Sequence, residues 1–200
     1  MCFHSRQSKC AQELEHRFNA KFIDKALYKA SVYNGFQHPH TPVICNQQPD
    51  MIQLFQWGLI PSWAKDDSIK KNTLNARIES IHEKPAFRNV ANKRCMVLCD
   101  GFYEWKWLDP KGKNKQKYLL TLPNDEAFAF AGLWSEWVDK SSGEIIHSYT
   151  ILTTEATGLM SEIHNSKNRM PVILSKEHEK EWLLGAELKI QNDLLIATAI

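Results

Sequence analysis

The chain has 200 residues, 43% of them hydrophobic and 24% charged, a globular balance that excludes wholesale disorder and allows about 70% of the unfolded surface to be hidden without disulfide or metal staples. Eight Gly and eight Pro exclude collagen-like and low-complexity chains, and no segment approaches 18 uncharged apolar residues, which excludes a membrane-spanning helix. The net charge of +2 hides an uneven spread: residues 65–117 carry 13 basic and seven acidic groups, and residues 118–200 carry six basic and 12 acidic, so the middle could face nucleic acid, although a solvated surface has the same composition.

Near the start, Arg6, Lys9, Glu13 and Glu15 interrupt any apolar run, so no signal peptide is expected. Residues 11–30 place Leu14, Phe18, Phe22 and Ala26 four apart, which predicts an amphipathic helix. Residues 34–50 read as turns with one short strand, 42–45, and 51–60 as a strand ending at Pro61. Residues 65–90 are polar and helix-tolerant, broken at Pro85. Strands are expected at 94–98 and 101–107. A basic, Gly-containing turn at 111–117 leads to another at 118–122. Residues 128–134 and 148–153 are strands joined by a loop at 139–143. A short helix at 155–163, a strand at 171–174 and a helix at 177–184 follow. Many short strands and few helices predict an α+β fold, a single domain over 1–200 on mainly antiparallel sheet.

The five cysteines are Cys2, Cys10, Cys45, Cys95 and Cys99. Their odd number and the absence of a CxxC pair fit neither a disulfide framework nor a zinc site. Reduced thiols and a cytoplasmic location, with the nucleoid if the source is bacterial, are expected. Nothing in the chain suggests a metal or nucleotide cofactor.

Cys2 directly follows the initiator Met, which is normally trimmed before a small side chain. Trimming leaves an α-amine and a thiol on adjacent carbons. The amine, with a pKa of about 7.7–8.0 against about 10.4 for Lys, is far more often neutral and nucleophilic at pH 7. It can condense with an aldehyde, and the thiol can then close a five-membered thiazolidine ring. Position alone would make Cys2 incidental. Three further segments, NTLNARIES (72–80), GFYEWK (101–106) and IHNSKNRMPVIL (163–174), set Asn75, Arg77, Glu104, His164 and Arg169 among apolar residues. Strand alternation puts Glu104 on the face opposite Tyr103 and Trp105. It shares that face with Phe102 and Lys106; an apolar surround raises a carboxyl pKa and suits it to proton transfer, whereas pairing with Lys106 makes it a surface carboxylate. Asn75 could orient the thiol or amine, and His164 could act as acid, base or donor. Arg77 and Arg169 could hold phosphates, and Trp57, Trp63 and Trp105 could stack bases. Taken singly, each has a commoner role as a cap, an ion pair or core.

Several motifs in fixed order decide the matter. Met1–Cys2, WGLIPSWAKD (57–66), NARIES (75–80), RCMVLCDGFYEWK (94–106), AFAGLW (129–134), TILTTEA (150–156) and IHNSKNRMPVIL (163–174) resemble the SOS response-associated peptidase (SRAP) family, proteins that shield abasic sites in single-stranded DNA. The resemblance covers nearly all of residues 1–174. It implies a barrel-like antiparallel core with flanking helices, autocatalytic removal of Met1, and covalent capture of the ring-opened abasic site by Cys2 as a thiazolidine. Asn75 matches the residue that orients Cys2. Glu104 matches the acid–base residue for sugar ring opening, Met removal and crosslink reversal, and His164 the residue for Schiff-base formation. Arg77, Arg169, Trp105, Trp63 and, more weakly, Pro39 and Thr153 match DNA-contact positions. The partner implied is single-stranded DNA containing abasic sites, and a monomer is expected.

The chain departs from the family pattern at Phe3–His4, where many members have Gly-Arg. It has three extra residues between His164 and Arg169, where Lys167 is expected to add a phosphate contact. Members usually continue through another strand and a short tail, and DLLIATAI (193–200) is expected to enter that strand and be cut short. Two readings compete with covalent capture. One is a thiol peptidase with Cys2 as nucleophile, His164 as base and Asn75 as orienter; the other is a non-catalytic single-strand-binding module. Whether stable capture or lyase turnover dominates is open at this level.

Overall fold

The computed structural model describes residues 2–188 and 194–200. Met1 and Asp193, on which the sequence reading placed the trimming site and the start of the last strand, lie outside the described residues. The first third of the chain contains β1 (His4–Gln7), α1 (Ala11–Phe18), β2 (Lys21–Phe22), β3 (Ser31–Asn34), β4 (His40–Cys45) and β5 (Gln48–Trp57). The middle contains β6 (Asn75–Arg77), β7 (Arg94–Cys99), β8 (Gly101–Trp107), β9 (Lys115–Thr121) and β10 (Phe128–Val138). The last third contains β11 (Ile145–Glu155), α2 (Gly158–Ile163), β12 (Arg169–Pro171), β13 (Ile173–Leu174), α3 (Glu179–Leu183) and β14 (Ile196–Ala199).

The strands form two sheets, one ordered β14-β9-β8-β1-β3 and the other β12-β11-β10-β7-β4-β5-β2. β13 joins the larger sheet on β10, and β6 joins it on β11. Pairing is mainly antiparallel; β6 and β5 lie parallel to β11, and β2 lies parallel to β5. The larger sheet is buried on both faces. Alternation along β10 sends Phe128, Phe130 and Trp134 to one core, and Ala129, Ala131 and Leu133 to the other. The aromatic side meets Phe102, Leu120 and Tyr33 of the smaller sheet and makes a barrel-like interior. The alanine side is covered by Leu14 and Phe18 of α1 and by Trp182 and Leu183 of α3. This is the α+β, barrel-like, mainly antiparallel architecture expected from the sequence.

The local expectations fail in instructive places. The helix read over 11–30 stops at Phe18, because Asn19 turns left-handed (φ 49°) and its N–H caps Glu15. Phe22 still reaches the same core as Leu14 and Phe18, but from a strand parallel to β5. The four-residue spacing therefore holds for the helix only as far as Phe18; beyond it Phe22 is buried from a strand and Ala26 is exposed. Within the turn-rich 34–50 stretch the expected strand at 42–45 is present as β4, two residues longer at its start, and the strand expected at 51–60 runs instead over Gln48–Trp57 as β5, paired with β4 as a hairpin. The polar 65–90 stretch is short 3-10 turns around the three-residue β6. β1 and β3 were not anticipated. The basic turn after β8 is organised by Asp109, whose carboxylate accepts from the backbone N–H groups of Lys111, Lys113 and Asn114.

The basic middle is partly consumed by packing. The Arg94 guanidinium lies 4.2 Å from the Trp182 ring and donates to the Trp182 and Ala186 carbonyls. Lys93 lies over Trp134, and Lys70 pairs with Asp67. Charge counting alone therefore overstated the surface free for a polyanion.

Candidate active site

β1 is held between β8 and β3, with Ser5 opposite Phe102 and Tyr33. This fixes Cys2 at the mouth of the barrel interior, where its side chain is fully buried. Two bonds secure the segment. The Gly35 N–H donates to the Phe3 carbonyl at 2.8 Å, and the Asn75 Nδ2 donates to the Cys2 carbonyl at 2.9 Å.

Asn75 arrives from 73 residues away by a defined route. The Trp57 indole, stacked on Tyr149, donates to the Leu74 carbonyl at 2.9 Å. The parallel pairing of β6 on β11 then sets Asn75 opposite Ile151. Its Oδ1 is buried and, among the described residues, accepts no hydrogen bond. A buried acceptor left open beside the Cys2 backbone is suited to a new donor there.

Glu104 points from β8 into the barrel interior, on the face of the strand that carries Phe102. Burial pushes its carboxyl up to about 7, so near neutral pH it is half protonated. The same burial, together with the Glu104 charge, pushes the Cys2 thiol far up and keeps it protonated. His164 directly follows α2 as its C-terminal cap. Its Nδ1 accepts from the Arg169 backbone N–H at 3.0 Å, so the neutral ring carries its proton on Nε2. That nitrogen faces the Glu104 Oε2 at 3.6 Å. Burial pulls the imidazole down to about 4. Near neutrality the pair thus holds a neutral imidazole donor against a carboxyl poised to gain or lose a proton.

The remaining candidates fall into two groups. Arg77 is exposed at the end of β6, opposite Thr153. Thr153 is buried and donates to the Ala76 carbonyl at 3.3 Å. Arg169 is bound within the protein. Its Nη1 and Nη2 donate to the two Glu79 oxygens, each at 2.9 Å, and Nη2 also donates to the Thr153 carbonyl at 2.7 Å. Trp63 is 52% exposed. Trp105 lies on the opposite face of β8 from Glu104, as alternation requires, edge-on to His4 and 5.8 Å from the Lys117 ammonium. Pro39 is half-buried, and its carbonyl accepts from the Trp57 N–H. Lys167 is exposed in the loop between His164 and Arg169.

The structure therefore gathers Cys2, Asn75, Glu104 and His164 at one place, with Arg77, Thr153 and Arg169 along the neighbouring end of β11. Sequence reasoning gave no role to Glu79 or Asn165. The Asn165 amide brackets the Trp107 backbone, accepting from its N–H at 3.0 Å and donating to its carbonyl at 2.9 Å. It thereby ties the loop after His164 to the strand that carries Glu104. No local pattern signals this bond, because its partners are 58 residues apart.

Comparison with known proteins gives concordant matches. The family model for SOS response associated peptidase (SRAP) matches residues 1–198. An abasic site processing protein of Bacillus subtilis, YoqW, is 48% identical over 174 residues, covering 86% of this chain and 75% of its own length. The chicken abasic site processing protein HMCES is 34% identical over 157 residues, which span 66% of this chain and 45% of that one. A crystal structure of a Bacteroides thetaiotaomicron protein superposes with a TM-score of 0.89 at 32% identity, covering 100% of this chain and 92% of that chain.

Proposed function

The chain belongs to the SOS response-associated peptidase family, and from that premise we propose that it processes abasic sites in single-stranded DNA by covalent capture through Cys2. The observation that carries this reading is the meeting of Asn75 and the Glu104–His164 pair, all distant in sequence, around the second residue of the chain. The curated relatives named for abasic site processing supply the substrate class.

The chemistry follows from the groups present. Cleavage of the Met1–Cys2 bond converts the Cys2 nitrogen from an amide to an α-amine, the step to which the family name's peptidase activity is assigned here. The Asn75 Oδ1 accepts from that amine and aims it. The protonated Glu104 carboxyl gives its proton to the sugar ring oxygen as the bond to C1′ breaks, and takes one back from the anomeric hydroxyl, leaving an aldehyde. The amine adds to the aldehyde carbon and water leaves, giving an imine. The His164 Nε2–H donates to the developing oxyanion on the way. The Cys2 sulfur then adds to the imine carbon while its proton passes to nitrogen, which closes the thiazolidine. No oxidant or cofactor is consumed.

Arg77, Trp63 and Trp105 are assigned as contacts to the strand, with Pro39 and Lys167 at its margins. Arg169 and Thr153 act from behind Arg77, with the Arg169 Nη atoms and the Thr153 hydroxyl already engaged. A thiol peptidase of the thiolate–imidazolium type fits these residues less well. Burial drives both the Cys2 thiol and His164 toward their neutral forms, and the two ring nitrogens face the Arg169 N–H and Glu104. A plain binding module leaves the buried, raised Glu104 unexplained.

The test is a denaturing gel of Met-trimmed protein with single-stranded DNA carrying one abasic site, beside intact DNA and the Cys2→Ala variant. A heat-resistant protein–DNA band that needs both the abasic site and Cys2 is expected. Cys2→Ser keeps the amine and loses the thiol, so it should give imine products without the stable band. No band from protein whose intact mass shows an N-terminal Cys2 would reject capture, and cleaved DNA in that lane would indicate a lyase instead.

A further inference from the structure

We propose that Phe36, mounted on Phe3, is a stacking platform for an unpaired nucleobase adjacent to the captured abasic nucleotide; the proposal rests on Cys2 being the point of capture. Phe3 directly follows Cys2, and its ring packs on the inner core. The Phe36 ring lies 4.7 Å from it at a 30° tilt and is 59% exposed. One face of Phe36 is thus covered by the ring of the residue that follows Cys2, and most of the side chain is exposed.

The mounting is rigid. Phe36 sits in a 3-10 turn, Gly35–Gln37, capped at both ends. The Asn34 side chain accepts from the Phe36 N–H at 3.1 Å, and the left-handed His38 (φ 51°) returns its N–H to the Gly35 carbonyl at 3.0 Å. The His38 Nδ1 is 2.9 Å from the Trp57 carbonyl. Gly35 is pressed so close to the Trp57 indole and the Phe3 carbonyl that a Cβ there would lie 3.2–3.3 Å from both. The turn is therefore packed closely against Trp57, which also holds the Asn75 segment through Leu74.

An exposed aromatic gains nothing for folding from its open face. The Asn34 and His38 bonds nevertheless hold this one still, against the ring of the residue that follows Cys2. Bases flanking an abasic site are unpaired on a single strand, and each has a π-face that stacks on an aromatic ring whatever its identity. The occupant this geometry fits is such a base, and the platform is expected to tolerate all four.

The test is a cycle between protein and DNA. The probes are single strands with a non-aldehyde abasic analogue, either with all bases or with a base-free spacer immediately 5′ or 3′ of the lesion. Affinity is read by fluorescence anisotropy, so capture is not required. Phe36→Ala should weaken binding to the all-base strand by about 5- to 150-fold, the equivalent of one stacked base. Phe36→Trp should retain the affinity. A spacer on one side of the lesion should cost the unaltered protein a similar factor, and Phe36→Ala should cost nothing more on that strand. If Phe36→Ala has no effect, or an equal effect on all three strands, the pair merely anchors the N-terminal segment and the proposal fails. The gel described above, run with the unaltered protein, reports separately on capture.

Discussion

Two pairs, each a carboxylate facing a nitrogen base, lie close together in this fold and differ in what burial does to them. Glu104 and His164 are both buried, stand 3.6 Å apart, and are each driven toward the neutral form. Glu79 and Arg169 meet in a two-pronged contact at 2.9 Å, with Glu79 half exposed. The bond from Arg169 holds the Glu79 carboxyl below its usual range. The first pair can move a proton near pH 7. The second is a fixed brace between the NARIES segment and β12. What separates them is the chemistry of the base. Imidazole can give up its charge when desolvated, whereas guanidinium cannot and must keep a counter-ion.

Glu104→Gln tests this contrast most strongly. It keeps the shape and removes the mobile proton, so the rate of crosslinking should fall about 100- to 10,000-fold. The pH profile should change with it. In the unaltered protein, the amine is neutral only as pH approaches about 8, while the protonated carboxyl is lost above about 7. The rate should therefore peak between them. In Glu104→Gln the descending limb should vanish, leaving a slow rate that rises with pH. A variant that crosslinks at the normal rate with the same peak would remove Glu104 from the mechanism.

The same substitution should affect stability in the opposite sense. The folded-state pKa of Glu104 is raised, so the unfolded chain releases its proton first as pH rises. Stability is lost between the ordinary glutamate value of 4.5 and about 7, and the penalty is complete above that. Glu104→Gln should therefore stabilise the fold by about 3 kcal/mol above pH 7 and leave it unchanged near pH 4.5. Denaturant titrations at both pH values check this. Glu79 has the reverse sign: its pKa is lowered, so its contribution is present above the ordinary value and lost as pH falls. Arg169→Ala should cost about 2–3 kcal/mol at pH 7, since it strands the Thr153 carbonyl and half-exposed Glu79.

How much of this was legible in the sequence depended on the range of the interaction. Alternation along the strand set Glu104 opposite Tyr103 and Trp105 and beside Phe102 and Lys106, but that this face is the buried one is visible only in the packed sheets. Cys2 became meaningful only through several motifs in fixed order. The helix over 11–30 ends at Phe18 because Asn19 turns left-handed, and beyond it the apolar spacing still marks Phe22 as buried but misplaces the exposed Ala26. Asn165 and Phe36 were silent because their meaning lies in partners 58 and 33 residues away, brought together by the sheet order. The two arginines looked alike in sequence for the same reason. Only the pairing of β6 and β12 on either side of β11 shows that one is braced and the other open.

That difference between the arginines gives the smallest expected effect and the finest test of the comparison. Arg77 is exposed and, among the described residues, makes no ion pair, so Arg77→Gln should leave unfolding free energy within about 0.5 kcal/mol of the unaltered protein. Its loss should instead appear in binding to single-stranded DNA. If it neutralises one phosphate, affinity should drop a few-fold, and the slope of log affinity against log salt should shrink by about 0.7. Arg169 should show the converse, a large change in stability and a salt slope that barely moves in whatever fraction remains folded. Should Arg169→Lys retain stability yet lose the same salt slope as Arg77→Gln, then Glu79 gives way to phosphate when DNA binds. The brace would then be a second, exchangeable contact, and the line drawn between the two carboxylate pairs would hold only for the free protein.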